Sequence, residues 1–195
     1  MRAAATDGCG IPSVVCAAGR LLAFLLLHRG RAIRRDEAAT ALWPELSRRA
    51  ALDRLRRHVF LLHRQLPEHE PGRPWMTADR ASVGWNPEAD VWLDVADFEE
   101  DVAAAARAAR ELDTVAEEAA LERALALYAG DLLADVDGEW AASERGRLRG
   151  LYRDVLQRRL VLRCAAGDVA SASAAAQVLV RLEPLRENAC RMAMG

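Results

Sequence analysis

Residues 48–66 read RRAALDRLRRHVFLLHRQL, a run with six arginines, two histidines and one aspartate and with neither glycine nor proline. Helical periodicity brings Ala51, Leu55, Val59, Leu62 and Leu66 within about 40° of one direction, which is the stripe of a helix packed on a core. The opposite side then carries Arg49, Asp53, Arg57, Phe60 and Arg64. A helix that only covers a core usually mixes its outer charges, whereas this one sets a single acid among several arginines. From spacing alone the face is either a DNA-reading surface or a solvated basic one.

The flanking sequence supplies the frame for that helix. GRLLAFLLLHRG (19–30) fits a short buried helix closed by Gly30 in the left-handed conformation. RDEAATALWPEL (35–46) fits a second helix, with Asp36 and Glu37 at its positive N-terminus and Pro44 near its end. The turn PELS leads into the third helix, so the order is that of a helix-turn-helix. Past the proline-rich PEHEPGRP, the strand-favouring Trp75, Thr77, Val83 and Trp85 flank ADRAS, which predicts a β-hairpin with Arg80 at its turn. Three helices and a hairpin make a winged helix. Before them, SVVC (13–16) reads as one short strand.

From Asp94 the pattern is helical. Helices are expected over 96–111 and 114–129, the second closed at LYAGDLL, then a long one over 139–165. That long helix sets Leu148, Leu151, Tyr152, Val155 and Leu162 near one face, together with an unexplained Arg159. Gly167 and Asp168 break the chain before a helix over 169–182, and Pro184 precedes a last one. Antiparallel helices separated by short glycine breaks suggest tetratricopeptide-like packing, although no clean repeat is visible.

Charge divides the chain in the same place. Between Arg20 and Arg64 there are eleven arginines against four acids; between Glu88 and Glu139 there are sixteen acids against three arginines. A basic module suited to a polyanion is followed by an acidic one. All the cationic residues are arginine, with no lysine in the chain. The four scattered cysteines form no CxxC pair and predict free thiols in a reducing cytosol. The apolar run 21–27 is far too short for a bilayer, which needs about 20 residues.

Several landmarks together resemble one family. The run LLAFLLLHRGRAIRRDEAATALWPELSRRAALDRLRRHVFLLHRQL resembles the DNA-binding part of the Streptomyces antibiotic regulatory protein family. DVADFEEDV resembles that family's junction, and ALALYAGDLLADV, EWAASERGRL, AAGD and RLEPLRENACRMAM resemble successive landmarks of its bacterial transcriptional activator domain. The resemblance implies a mainly α protein: a winged helix-turn-helix with a small β-hairpin over 19–92, then a tetratricopeptide-like all-α domain over 93–195. Against the family pattern, residues 1–18 read as a short remnant of a strand region and the activator domain as incomplete at its C-terminus. Asp53 and Phe60 stand where the family more often has polar, non-acidic residues.

The implied function is a cytoplasmic, sequence-specific transcriptional activator that binds direct repeats in promoter DNA and contacts RNA polymerase, with a homodimer as a further contact. No enzyme activity, cofactor or membrane association comes with it. Expected DNA contacts are Arg48, Arg49, Arg54 and Arg57 for phosphates and guanine edges, Asp53 for a cytosine amino group, Arg64 for the backbone, and Arg80 for the minor groove or a phosphate. Arg80 reads equally well as an ordinary turn residue. Phe60 suits a thymine methyl, a dimer contact or the neighbouring domain. A second reading is a degenerate member that serves as a protein-interaction module without DNA binding.

Among other candidate sites, His28, His58, His63 and His69 have no metal-binding spacing. Trp43, Trp140 and Phe98 read as core anchors. Glu99, Glu100, Asp101, Glu117 and Glu118 read as solvated helix surface.

Overall fold

The computed structural model describes residues 3–5 (backbone), 18–67, 74–89 and 91–182. The chain is mainly helical with two small antiparallel sheets, and it divides into two compact units. Among the described residues, one unit comprises those up to 93 together with 135–142, and the other comprises 94–134 and 143–182. SVVC, His69 and the helix expected after Pro184 lie outside the described residues.

The first unit opens with β1 (Ala3–Ala5) and α1 (Gly19–Leu27), followed by β2 (Ile33–Arg34), α2 (Arg35–Leu42) and α3 (Arg48–Gln65). A hairpin of β3 (Met76–Ala78) and β4 (Ser82–Trp85) comes next, then β5 (Val91–Leu93). Leucine-rich α1 is apolar nearly all round, and Leu21, Leu22, Leu25 and Leu26 are fully buried. A helix of that composition belongs inside rather than on a surface. It does not close on Gly30 as the sequence suggested. The amide of His28 already bonds back to Phe24 and Leu25, and Gly30 stays out of the left-handed region. The helix is thus closed at His28, two residues earlier, with no need for glycine's conformational freedom.

Helix α2 stops at Trp43, one residue before Pro44, because the proline ring disfavours helical geometry in the residue before it. Ser47 then caps α3 by accepting from the amide of Ala50. All five residues of the expected stripe, Ala51, Leu55, Val59, Leu62 and Leu66, are buried. Strand β4 is central in its sheet, in the order β2-β4-β3, and pairs Ile33 with Val83 and Met76 with Trp85. Elsewhere β1 and β5 pair, Ala4 opposite Trp92. Residues 135–142 also belong to this unit: Arg20 donates to the carbonyl of Asp137, and Trp140 meets Phe24 edge-on with centroids 5.3 Å apart.

In the second unit α4 (Asp94–Glu111) and α5 (Thr114–Leu127) pack against each other, and α6 (Glu139–Ala165), whose first four residues belong to the first unit, and α7 (Val169–Leu182) follow. The break between α4 and α5 carries no glycine. Leu112 takes a left-handed φ of 59° while the amide of Asp113 reaches back to Ala108, and Asp113 then caps α5. The break at Gly167 does use glycine, at φ 73°.

On α6, Leu148, Val155 and Leu156 are buried. Arg159, left without explanation by the sequence, lies 3.6 Å from Glu122 of α5. Its neighbours do the same: Arg163 bonds Glu122 at 3.0 Å, and both carboxylate oxygens of Glu117 accept from Arg158. Glu117 is therefore not solvated surface. It is 1% exposed, and a buried carboxylate persists only when it is paired and hydrogen-bonded. No helix among the described residues is long and apolar enough to cross a membrane.

Two outcomes test this packing. Leu55→Ala removes a fully buried side chain and should cost about 3 kcal/mol in urea unfolding. Arg158→Ala strands Glu117 without its partner. Because Arg158 is itself 45% exposed, water can recover part of the loss, so about 2 kcal/mol is expected rather than the full cost of a buried charge. Arg158→Ala with Glu117→Leu should restore much of that stability.

Candidate nucleic-acid interface

Periodicity decides which side chains of α3 face outward. With one stripe buried, Arg49, Asp53, Arg54, Arg56, Arg57, Phe60 and Arg64 are all exposed. These residues are not equivalent. Arg49, Arg54 and Arg57 make no ion pair or side-chain hydrogen bond among the described residues. Three unneutralised guanidiniums on one exposed helix make a local field suited to phosphates.

The other charges of α3 are engaged. Asp53 accepts from Arg56 at 3.0 Å, one helical turn on, so the acid is partly neutralised by its own helix. The guanidinium of Arg64 lies 5.9 Å from the centroid of Phe60, which is 59% exposed. That cation–π contact folds the arginine back along the helix. Arg48, the first residue of α3, is held by Asp36 of α2 in a two-pronged pair: Nε to Oδ1 at 3.0 Å and Nη2 to Oδ2 at 2.8 Å. Hydrogen bonding to Arg48 lowers the Asp36 carboxyl below its ordinary value and raises Arg48.

The hairpin turn is built on Asp79. Its Oδ1 accepts from the amides of Ala81 and Ser82 at 2.7 and 2.6 Å, and Oδ2 accepts from the Ser82 hydroxyl. These donors, the Ser82 amide first, hold the carboxyl below its usual range. The folded value is the lower one, so this support is present above the ordinary carboxylate pKa and is lost only as pH falls through the depressed value. Arg80 projects from this turn, exposed and with no ion pair among the described residues.

The N-terminus of α2 ties the turn to the helix. The amide of Arg35 bonds the carbonyl of Ala81 at 2.9 Å, and its Nε bonds the carbonyl of Asp79 at 2.7 Å. The next residue, Asp36, grips Arg48. The first turn of α2 thereby contacts both the hairpin turn and the first residue of α3.

Of the residues singled out from the sequence, Arg48, Arg49, Asp53, Arg54, Arg57 and Arg64 lie along α3, and Arg80 stands apart on the hairpin turn. Three positions went unrecognised: Arg35, Asp36 and Asp79. An aspartate opening a turn before small residues is a standing signal for the Asp79 arrangement. Asp36 read only as a charge at a helix end, since its partner comes from another helix.

Two histidines of this unit are tied to the backbone of their own helices. Nδ1 of His28 bonds the Phe24 carbonyl, and Nδ1 of His58 bonds the Arg54 carbonyl beside the ring of Trp43. Among the described residues no group of histidine, cysteine or acidic side chains is placed to hold a metal ion.

Comparison with known proteins adds identity to this geometry. The chain is 32% identical over 167 residues to the regulatory protein AfsR of Streptomyces coelicolor, an overlap covering 86% of this chain and 16% of that protein. The chain therefore spans about a sixth of that relative's length. Residues 93–195 match the family model described as the bacterial transcriptional activator domain. On that match, which takes in more than half of its residues, the chain belongs to the bacterial transcriptional activator domain family.

Proposed function

We propose that the chain is a sequence-specific DNA-binding transcriptional regulator, an activator acting at direct repeats in promoter DNA. Residues 19–92 act as a winged helix, with α3 entering the major groove and the β3–β4 hairpin as the wing. Residues 93–195 act as a tetratricopeptide-like domain that contacts RNA polymerase and a second copy of the chain. The observation that carries this reading is the set Arg49, Arg54 and Arg57, exposed on α3 outside its buried stripe and without an ion pair among the described residues. Family membership of the second part and the relative's name, a regulatory protein, support it.

In mechanism, Arg49, Arg54 and Arg57 neutralise phosphates and reach base edges, and Arg80 touches the minor groove or the backbone. Arg64, drawn over Phe60, lies near the C-terminal end of α3 and meets only the backbone. Asp53 accepts from a cytosine amino group once Arg56 turns to a phosphate. No catalytic step, cofactor or metal is part of this function.

The exposed Phe60 favours a second reading, in which this face docks a protein and no longer binds DNA. An aromatic ring 59% exposed beside arginines is also the composition of a protein-contact anchor. Retention of a protein partner together with no retention of DNA would select that reading.

Mobility shift with promoter fragments tests the first. The full chain should retard DNA carrying direct repeats at low salt. Arg49→Ala with Arg57→Ala should weaken binding and reduce the slope of log affinity against log salt by about two, since each neutralised phosphate contributes roughly 0.9 to that slope. No binding of any fragment below micromolar concentration at low salt would sink the proposal.

A further inference from the structure

The pair between Asp36 and Arg48 has no evident stabilising purpose. Both partners are exposed, at 45% and 77% of their side-chain surfaces, and exposed ion pairs add little to folding. Its geometry is nonetheless specific. Two parallel N–H···O bonds fix the plane of a guanidinium that would otherwise sweep through many rotamers. Asp36 is itself placed by the first turn of α2, where the preceding Arg35 is bonded twice to the hairpin turn.

The engaged edge of Arg48 is Nε with Nη2. A guanidinium has five N–H donors, so three remain, on Nη1 and Nη2, along the end that points away from the carboxylate. Two side-by-side donors on that end match the O6 and N7 acceptors of guanine in the major groove. Electrically the pair is near neutral, so Arg48 adds little to general attraction for phosphates. That separates it from Arg49, Arg54 and Arg57, which keep their charge.

We propose that Asp36 is a specificity-determining residue: it withdraws Arg48 from general phosphate binding and presents its free edge to a guanine at the start of α3. This assignment rests on the DNA-binding reading above. It gives an acid on a basic face a positive task, since a fixed donor pair reads one base while a mobile cation attracts any phosphate.

The test uses the full chain and a duplex that it selects from a randomised library, compared with the same duplex carrying another base in place of each guanine in turn. The wild type should discriminate strongly at one guanine. Asp36→Asn should bind unrelated duplex as well as before or more tightly, with a salt slope steeper by about one, because a charge is released. Its discrimination at that guanine should fall by about tenfold, the scale of one bidentate arginine–guanine pair. Arg48→Lys keeps the charge without the fork and should lose the same discrimination, and adding Asp36→Asn to it should cost no more. Unchanged thermal unfolding of each variant separates this from a folding defect. If Asp36→Asn shifts affinity for both duplexes by one common factor, Asp36 is only a charge and the assignment is overturned alone. If the wild type selects no duplex, the DNA-binding reading falls and takes the assignment with it.

Discussion

Burial of one stripe of α3 sets the direction of every other side chain on that helix. Leu55 and Leu62 are fully enclosed, and α3 packs against both α1 and α2, whose Leu21, Leu22, Leu25, Leu26 and Leu42 fill the same core. A helix has no freedom to rotate once such a seam is closed, because turning it would carry Leu55 into water and an arginine inward. The outward display of Arg49, Arg54 and Arg57 is thus a consequence of apolar packing.

The acids near this face organise it. Asp79 shapes the hairpin turn by accepting from two amides and a hydroxyl, and Arg35 fastens that turn to the start of α2. Asp36 fixes Arg48. A basic surface made only of free arginines would attract any polyanion. One in which carboxylates orient chosen arginines can combine attraction with geometric selectivity.

The second unit solves a different problem with a similar device. Its helices are rich in alanine, whose small side chains bury little apolar area each but allow α4 and α5 to approach closely. Ala105, Ala108, Ala120 and Ala124 are all buried. Charged side chains supply registration between helices: Glu117 to Arg158, Glu122 to Arg163, Asp101 to Arg123 and Glu99 to Arg147. Long arginines span gaps that alanine cannot fill, which accounts for Arg159 lying on the apolar side of α6.

By itself the sequence determined, to within a few residues, the helices seen among the described residues, the hairpin, the buried stripe and therefore the exposed arginines, because each depends on periodicity or turn chemistry over a short span. The helix read over about 139–165 and the one over 169–182 match α6 and α7 for that reason. Tertiary structure alone decided the rest. Strands β1, β2 and β5 are two or three residues long and carry no periodic signal, so only their partners define them. Arg48 and Asp36 stand 12 residues apart and Arg158 and Glu117 stand 41 apart, on separate helices. Whether a charge is spent inside the fold or left for a partner depends on which helix comes to lie beside it, and local sequence does not encode that.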